Sequence, residues 1–338
     1  MKAAFIKETG PASNLQFGDV PKPVLRHNQV LVRVTAVSVN PIDTYIRAGL
    51  VPMELPKPFI VGCDLAGVVE GVGSDVKRFQ PGDRVWGSNQ GLLGRQGTFA
   101  EYAAVDECFL YPTPGDVPDE QAAAIALVGI TAHLGLVREA RLHPHETVFV
   151  NGGSGGVGST VIQMAKAIGA KVFASAGSDE KVAACLKLGA DAAFNYKTTK
   201  LGDELKKVAA PGVNVWWETT REPDFDLAVG ALAARGRMIV MAGREARPPF
   251  PVGPFYVKGC SIHGFVMFLA PPEEQRKAAV DINQWLSTGK LEPKIDRVLS
   301  LSEAAKAHQL QEDATIKRSG ALAGKLVLIP GTKKGKAS

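Results

Sequence analysis

Five residues, Thr147-Val148-Phe149-Val150-Asn151, run directly into Gly152-Gly153-Ser154-Gly155-Gly156-Val157-Gly158. No other stretch of the chain limits the fold so strongly. A short apolar run rich in β-branched residues reads as a buried parallel strand. The glycines let the backbone turn sharply and approach a ligand where a Cβ would collide. Beyond them Val157, Val161, Ile162, Ala165 and Ile168 recur at helical spacing, and Gly169 stands where a C-cap glycine belongs. Strand, glycine turn and helix N-terminus together make an anion site, because free N–H groups and the helix dipole both favour phosphate. Gly153, Gly155 and Gly158 satisfy G-x-G-x-x-G, and a second strand, Lys171 to Ser175, follows at the right distance. A Walker-type loop fails, since no Gly-Lys-Ser/Thr closes the glycines. A dinucleotide site is expected.

The tip of the second strand chooses between cofactors. NAD sites place Asp or Glu about 20 residues beyond the glycines to grip the ribose 2′-hydroxyl. Here the strand runs out into Ser175-Ala176-Gly177-Ser178-Asp179-Glu180-Lys181. The small residues leave room for a 2′-phosphate, Ser178 can donate to it, and Lys181 can supply charge. Asp179 and Glu180 read better as first-turn residues of the next helix, where carboxylates suit the dipole. NADPH is therefore expected over NADH.

Around this centre the chain divides. From Met1 to about residue 123, short strands alternate with Gly and Pro turns such as Pro81-Gly82-Asp83, the pattern of a partly closed β-barrel. Pro118-Asp119-Glu120 opens a helix, and a second helix containing Thr131 to Leu136 follows. Strands then alternate with helices: 179–188, 192–194, 213–217, a helix Phe225 to Ala234, 237–240 and 260–263. That alternation means right-handed crossovers and a doubly wound parallel sheet. The tail carries a helix from Glu273 to Ser287, a helix from Ser302 to Gln311 and the strand Leu326 to Ile329. It is expected to return to the first domain, because it could not bury itself alone. The expected division is 1–123 with 268–338, and 124–267.

With 338 residues there is length for two cores. A net charge of +5, partly in Lys333-Lys334-Gly335-Lys336, gives no basic cluster for nucleic acid; those lysines read as a solvated tail. Cys63, Cys108, Cys185 and Cys260 lie far apart without a C-x-x-C pair, which argues against a disulfide framework or zinc lobe and fits a reducing compartment. Met1-Lys2-Ala3-Ala4-Phe5 enters a strand directly, so no signal peptide is expected. No apolar run of about 18 residues stands out, so no membrane span is expected, and the cytoplasm is the default.

A barrel-like first half, a central glycine strand and a Gly-Lys-Leu-Val-Leu ending resemble the medium-chain dehydrogenase/reductase superfamily, over nearly the whole chain. Within it the chain is most similar to the zinc-free quinone oxidoreductases, the zeta-crystallin-like branch. The residues that carry this are Ser38 to Gly49, similar to that branch's N-x-x-D-x-Y-x-R-x-G segment, then Gly62-Cys63-Asp64-Leu65-Ala66-Gly67, Gly152 to Gly158, and Ala193-Phe194-Asn195-Tyr196. The resemblance implies a GroES-like partly closed β-barrel catalytic domain plus a Rossmann doubly wound sheet, and a homodimer. It sets Asn40 or its neighbours against a zinc ligand Cys of other members, Cys63-Asp64 against a His-Glu pair, and Val128 near the third ligand. A catalytic zinc needs three protein ligands, so no metal is expected, and Cys63 reads as a buried small hydrophobe.

Without zinc, hydride from NADPH should go to an acceptor that is already electrophilic, a quinone or related conjugated carbonyl. An ene-reductase of enals, enones or haloacrylates is the rival enzyme, and a non-catalytic crystallin-like or RNA-binding relative the rival of another class. The resemblance places Asn40 and Tyr45 beside the nicotinamide as candidate donors. Asn40 has a second reading as an Asx turn before Pro41, Asp43 reads as a helix-start residue, and Arg47 as either a surface charge or a pocket guard. The resemblance also puts Gly155, Gly156 and Val157 at the pyrophosphate, Gly177, Ser178 and Lys181 at the 2′-phosphate, and Tyr196 near the ribose-phosphate. Thr219, Ala242, Gly243, Arg244 and Phe265 fall along the nicotinamide half. Three departures from the pattern are Val51 in place of a Tyr, Trp216-Trp217-Glu218 in place of an apolar-Asp run, and the length of 311–324. Trp217 faces either the cofactor or the core, with the core expected.

Overall fold

A computed structural model describes residues 1–317 and 322–331, so the Lys333–Lys336 tail lies outside the described residues. The described residues form two compact units, one of 1–127, 275–283, 293–317 and 322–331, the other of 128–274 and 284–292. The boundaries expected at 123/124 and 267/268 therefore move to 127/128 and 274/275, and a segment of the helix after Pro271 is shared out between the units.

The first unit begins with β1 (Lys2–Ile6) and β2 (Gln16–Asp19), then β3 (Gln29–Val39) and α1 (Pro41–Arg47). After them come β4 (Phe59–Ile60), β5 (Leu65–Val72), β6 (Arg84–Gly87), β7 (Tyr102–Asp106) and β8 (Leu110–Pro112). The long β3 is the organiser: it pairs antiparallel with β5 and β7, and β5 continues to β6 and β8. Alternate residues Val30, Val32 and Val34 of β3 are buried while Arg33 is exposed, the period of two that a half-buried strand requires.

α2 (Asp119–His133) continues without a break into a wider turn, Leu134–Glu139, with π-type bonding. Two helices were expected here; the structure has one. Asp119–Glu139 also exceeds the apolar length read from the sequence: its most apolar window has a mean hydropathy of 1.5, and it is the one helix among the described residues that could cross a membrane on composition. Yet 78% of that window is buried inside the protein, so its apolar surface has protein for a partner.

The second unit holds β9 (Thr147–Asn151), α3 (Gly156–Ile168), β10 (Lys171–Ala176), α4 (Asp179–Lys187), β11 (Ala192–Asn195) and α5 (Leu201–Val208). It continues with β12 (Val213–Glu218), α6 (Phe225–Ala231), β13 (Leu232–Val240), α7 (Val252–Val257) and β14 (Ser261–Gly264). The strands are parallel in the order β11-β10-β9-β12-β13-β14. The helix expected to run to Ala234 stops at Ala231, because Leu232 already pairs with Val213 in the sheet. The strand order reverses at β9, and ligands of open α/β sheets bind at such a switch point, beyond the carboxyl ends of the strands. Phe149, Phe173, Trp216, Val229 and Met238 form the core under one face.

α8 (Pro272–Ser287) follows, then β15 (Ile295–Ser300), α9 (Ala304–Thr315) and β16 (Lys325–Ile329). The tail does return to the first unit: β16 pairs with β3 and β15. α9 brings Glu312 to Arg47, which is fully buried and also donates to the Gly10 carbonyl. Arg47 is thus neither a surface charge nor a pocket guard but a clamp between α1 and α9. Beside it His308 is buried edge-on to Phe99, and neither ring nitrogen has a partner. Burial, with Arg47's charge adding to it, lowers His308 to about 3. An unfolded histidine titrates near 6.5, so between about 6.5 and 3 the unfolded chain holds a proton that the folded one lacks. That share of stability is complete above about 6.5 and is lost as pH falls. His308→Leu should remove this acid loss, so its melting temperature should fall less than the wild type's between pH 7 and pH 5; identical slopes would contradict the assignment.

Candidate functional site

The glycine turn is assembled by close approach. Gly152 has φ +87°, and a Cβ there would lie 2.2 Å from Thr219 Oγ1. At Gly153 a Cβ would press on Ala174, Ile162 and Cys185, at 2.8, 2.9 and 3.1 Å. At Gly158 it would lie 2.2 Å from the Gly152 carbonyl oxygen. Gly155 differs: it is exposed, and a Cβ would meet only Gly152 O at 3.6 Å. Two of the three motif glycines serve packing and the third leaves open space above the turn. α3 starts at Gly156 with no side-chain cap and no acidic residue in its first turn. Its first N–H groups, including those of Gly156 and Val157, have no intrahelical acceptor. These residues fit a diphosphate.

Ser178 caps α4, its Oγ accepting the Lys181 N–H at 3.4 Å. Asp179 and Glu180 stand in the first turn, as expected, and Asp179 Oδ1 accepts from Asn195 Nδ2 at 2.7 Å. The half-exposed Tyr196 sets its hydroxyl against Gly177, 2.5 Å from where a Cβ would stand. Gly177, Ser178, Lys181 and Tyr196 are therefore gathered at the tips of β10 and β11. Thr219 Oγ1 donates to the Asn151 carbonyl at 2.6 Å, so its hydroxyl closes the gap between β9 and β12. Gly243 turns with φ +83°, beside Ala242 and an Arg244 that lies 3.7 Å from Glu245. Phe265 stacks under Arg138, with 5.4 Å from guanidinium to ring centre. Trp217 is buried in the core, as expected, its ring filling the space left by the missing side chain of Gly135.

In the first unit Asn40, Asp43, Cys63, Asp64 and Lys325 form one buried cluster. Asp43 Oδ2 accepts the Asn40 N–H at 2.8 Å, fixing the start of α1 as expected. Asn40 Nδ2 donates to Asp64 at 2.7 Å, and Asn40 Oδ1 accepts from Lys325 Nζ, which also donates to Val39 O at 2.9 Å. Ser38 and Ser88 complete the Asp64 carboxylate at 2.8 and 2.7 Å. The Asn40 amide is thus engaged inside the unit by Asp64 and Lys325. Asn40 is at the same time the N-cap of α1, where it and Asp43 form a capping box. Tyr45, half-buried on α1, keeps the more open position.

Burial pushes Asp43 up to about 7, against the pull of a hydrogen bond from Cys63. It raises Asp64 and lowers Lys325, while their mutual attraction acts the other way on each. The Cys63 thiol is driven well above its ordinary range by burial and by both carboxylates. Cys63 is buried, as expected of a small hydrophobe, and its thiol also faces Asp43 in this cluster. Among the described residues no group of three or more His, Cys, Asp or Glu is placed to hold a metal ion.

A GroES-like unit of short antiparallel strands, joined to a doubly wound sheet with a glycine diphosphate turn, defines a nicotinamide-dependent oxidoreductase of the medium-chain type. Family models agree: residues 26–115 match the alcohol dehydrogenase GroES-like domain, and 156–284 match a model described as zinc-binding dehydrogenase. The chain is 34% identical to the quinone oxidoreductase of Sus scrofa, over 95% of this chain and 94% of that one. An NAD-dependent alcohol dehydrogenase structure superposes with TM-score 0.88 at 30% identity, covering 98% of this chain and all of that one. The Escherichia coli quinone oxidoreductase complexed with NADPH superposes with TM-score 0.84 at 27% identity, over 98% and 100%. The chain belongs to the quinone oxidoreductase branch of the medium-chain dehydrogenase/reductase superfamily. It is an oxidoreductase that uses a nicotinamide cofactor and acts on a small molecule.

Proposed function

We propose that the enzyme is an NADPH-dependent, zinc-independent reductase of quinones or related conjugated carbonyl compounds. The observation that carries NADPH over NADH is the commitment of Asp179 to Asn195. An NAD site needs a carboxylate at the ribose; here Asp179 is occupied, Glu180 is exposed on the first turn of α4, and Ser178, Lys181 and Gly177 supply a hydroxyl, a charge and room. When bound, the cofactor would supply the hydride from its nicotinamide. The chain's part is to hold the diphosphate at α3, hold the 2′-phosphate at α4 and keep water from the transfer.

Zinc independence is supported by the donor set in the first unit. The positions that resemble zinc ligands are filled by Asn40, by the pair Cys63-Asp64 and, near the third, by Val128, which has no donor atom, and a lysine ammonium already lies against Asn40 Oδ1. A second cation there would face repulsion, so the residues do not fit zinc. With no Lewis acid at that position, the acceptor has to delocalise the incoming charge itself, as a quinone does.

Lys181→Ala should raise the Michaelis constant for NADPH roughly 10-fold and leave that for NADH nearly unchanged. Steady-state kinetics with both cofactors decides; equal effects on the two would refute the phosphate assignment.

A further inference from the structure

We infer that Glu218 is a positioning residue for the dinucleotide turn, acting through Asn151 and Ser175 on the backbone of Gly152. This rests on the reading of that turn as the cofactor site. Glu218 ends β12 and is fully buried. Both its oxygens accept from Asn151 Nδ2 at 3.0 Å, Oε2 also accepts the Trp216 indole N–H at 3.0 Å, and Oε1 the Thr220 N–H at 2.7 Å. Every partner is a donor, which an acceptor-only carboxylate matches and an amide does not.

The bonding then runs on in one direction. Asn151 Oδ1 accepts from Ser175 Oγ at 2.6 Å, and Ser175 Oγ accepts the Gly152 N–H at 3.2 Å. The Ser175 carbonyl takes the next N–H, that of Gly153, at 2.8 Å. Three neighbouring strands, β12, β9 and β10, are thereby tied to the first two residues of the turn. An anion site made of backbone N–H groups gains affinity only if those groups are already held in place. The charge of Glu218 is spent on Asn151, Trp216 and Thr220. Its net effect on a diphosphate is therefore through the order of the turn.

The test measures NADPH dissociation constants by fluorescence titration, alongside steady-state kinetics, for the wild type, Glu218→Gln, Asn151→Asp and the double variant. Glu218→Gln turns a donor toward donors and should weaken NADPH roughly 10- to 100-fold, with the Michaelis constant moving more than kcat. Asn151→Asp sets two carboxylates face to face and should weaken it at least as much. In the double variant the new amide at position 218 donates to the new carboxylate at position 151, and affinity should recover to within about 10-fold of wild type. Ser175→Ala, which cuts the middle link alone, should weaken NADPH severalfold and serves if Glu218→Gln does not fold. Unchanged or tighter binding by Glu218→Gln, or by Ser175→Ala in its place, overturns the inference, as does a double variant no better than its parents. A wild type that does not bind NADPH overturns the site reading itself, and the inference with it.

Discussion

Lys325→Met should lower folding stability by about 3–5 kcal/mol, read from the midpoint of urea unfolding. Met keeps most of the stem's volume, so the loss is one of charge. Lys325 Nζ donates to Val39 O and Asn40 Oδ1, and its charge faces Asp64 and Asp43. Without it, Asp64 keeps donors from Ser38, Asn40 and Ser88 but no counter-charge, in a place closed to water. The double variant Asp64→Asn with Lys325→Met removes both charges and should be less damaged than Lys325→Met alone, because a matched neutral pair carries no desolvation penalty for ions. Asp43 adds a pH signature. Its carboxyl, at about 7 when folded, holds a proton that the unfolded group near 3.9 lacks. Its contribution is therefore fully present below about 3.9 and is lost as pH rises through about 7. Lys325→Met raises the Asp43 carboxyl further and should extend this loss to higher pH. A variant as stable as wild type would show that the cluster is not closed to solvent.

Gly158→Ala and Gly155→Ala should separate packing from binding at the turn. At Gly158 the methyl would stand 2.2 Å from the Gly152 carbonyl oxygen and 3.0 Å from the Gly153 Cα, both backbone atoms. The turn has to shift, at about 1–3 kcal/mol, and both the melting temperature and NADPH affinity should fall. At Gly155 the backbone has φ −74°, which alanine adopts freely, and the methyl meets nothing closer than 3.6 Å. There the melting temperature should hold while NADPH affinity falls roughly 10-fold or more, because the methyl occupies the space above the helix N-terminus. Undiminished affinity in Gly155→Ala would mean that the diphosphate approaches elsewhere.

What could be read from the sequence was what is local along it. Strand, glycine turn and helix lie within residues 147–168, and each has a periodic or steric signature. Asp43 as a helix-start residue and the first-turn place of Asp179 followed from capping chemistry in the same way. The buried cluster of the first unit did not, because Lys325 meets Asn40 from 285 residues away and no spacing rule links them. Arg47 escaped for the same reason, its partner Glu312 lying 265 residues on. Glu218 left a fainter trace: an acid ending the strand Val213–Glu218 just after two tryptophans, with an Asn ending Thr147–Asn151, the earlier strand that precedes the glycines. A lone buried acceptor and a lone amide at the ends of two neighbouring parallel strands were together the signal available. Helix α2 reads as two from the sequence because nothing local marks its continuation through the wide turn Leu134–Glu139, where Gly135 lies against the Trp217 ring.

The most direct test follows NADPH oxidation by the purified protein with ortho- and para-quinones as acceptors, with and without a strong chelator, and with the product identified. The proposed chemistry predicts one hydroquinone formed per NADPH consumed, at a rate the chelator leaves unchanged. NADPH bound but never oxidised, or activity lost to the chelator and restored by zinc, would contradict it.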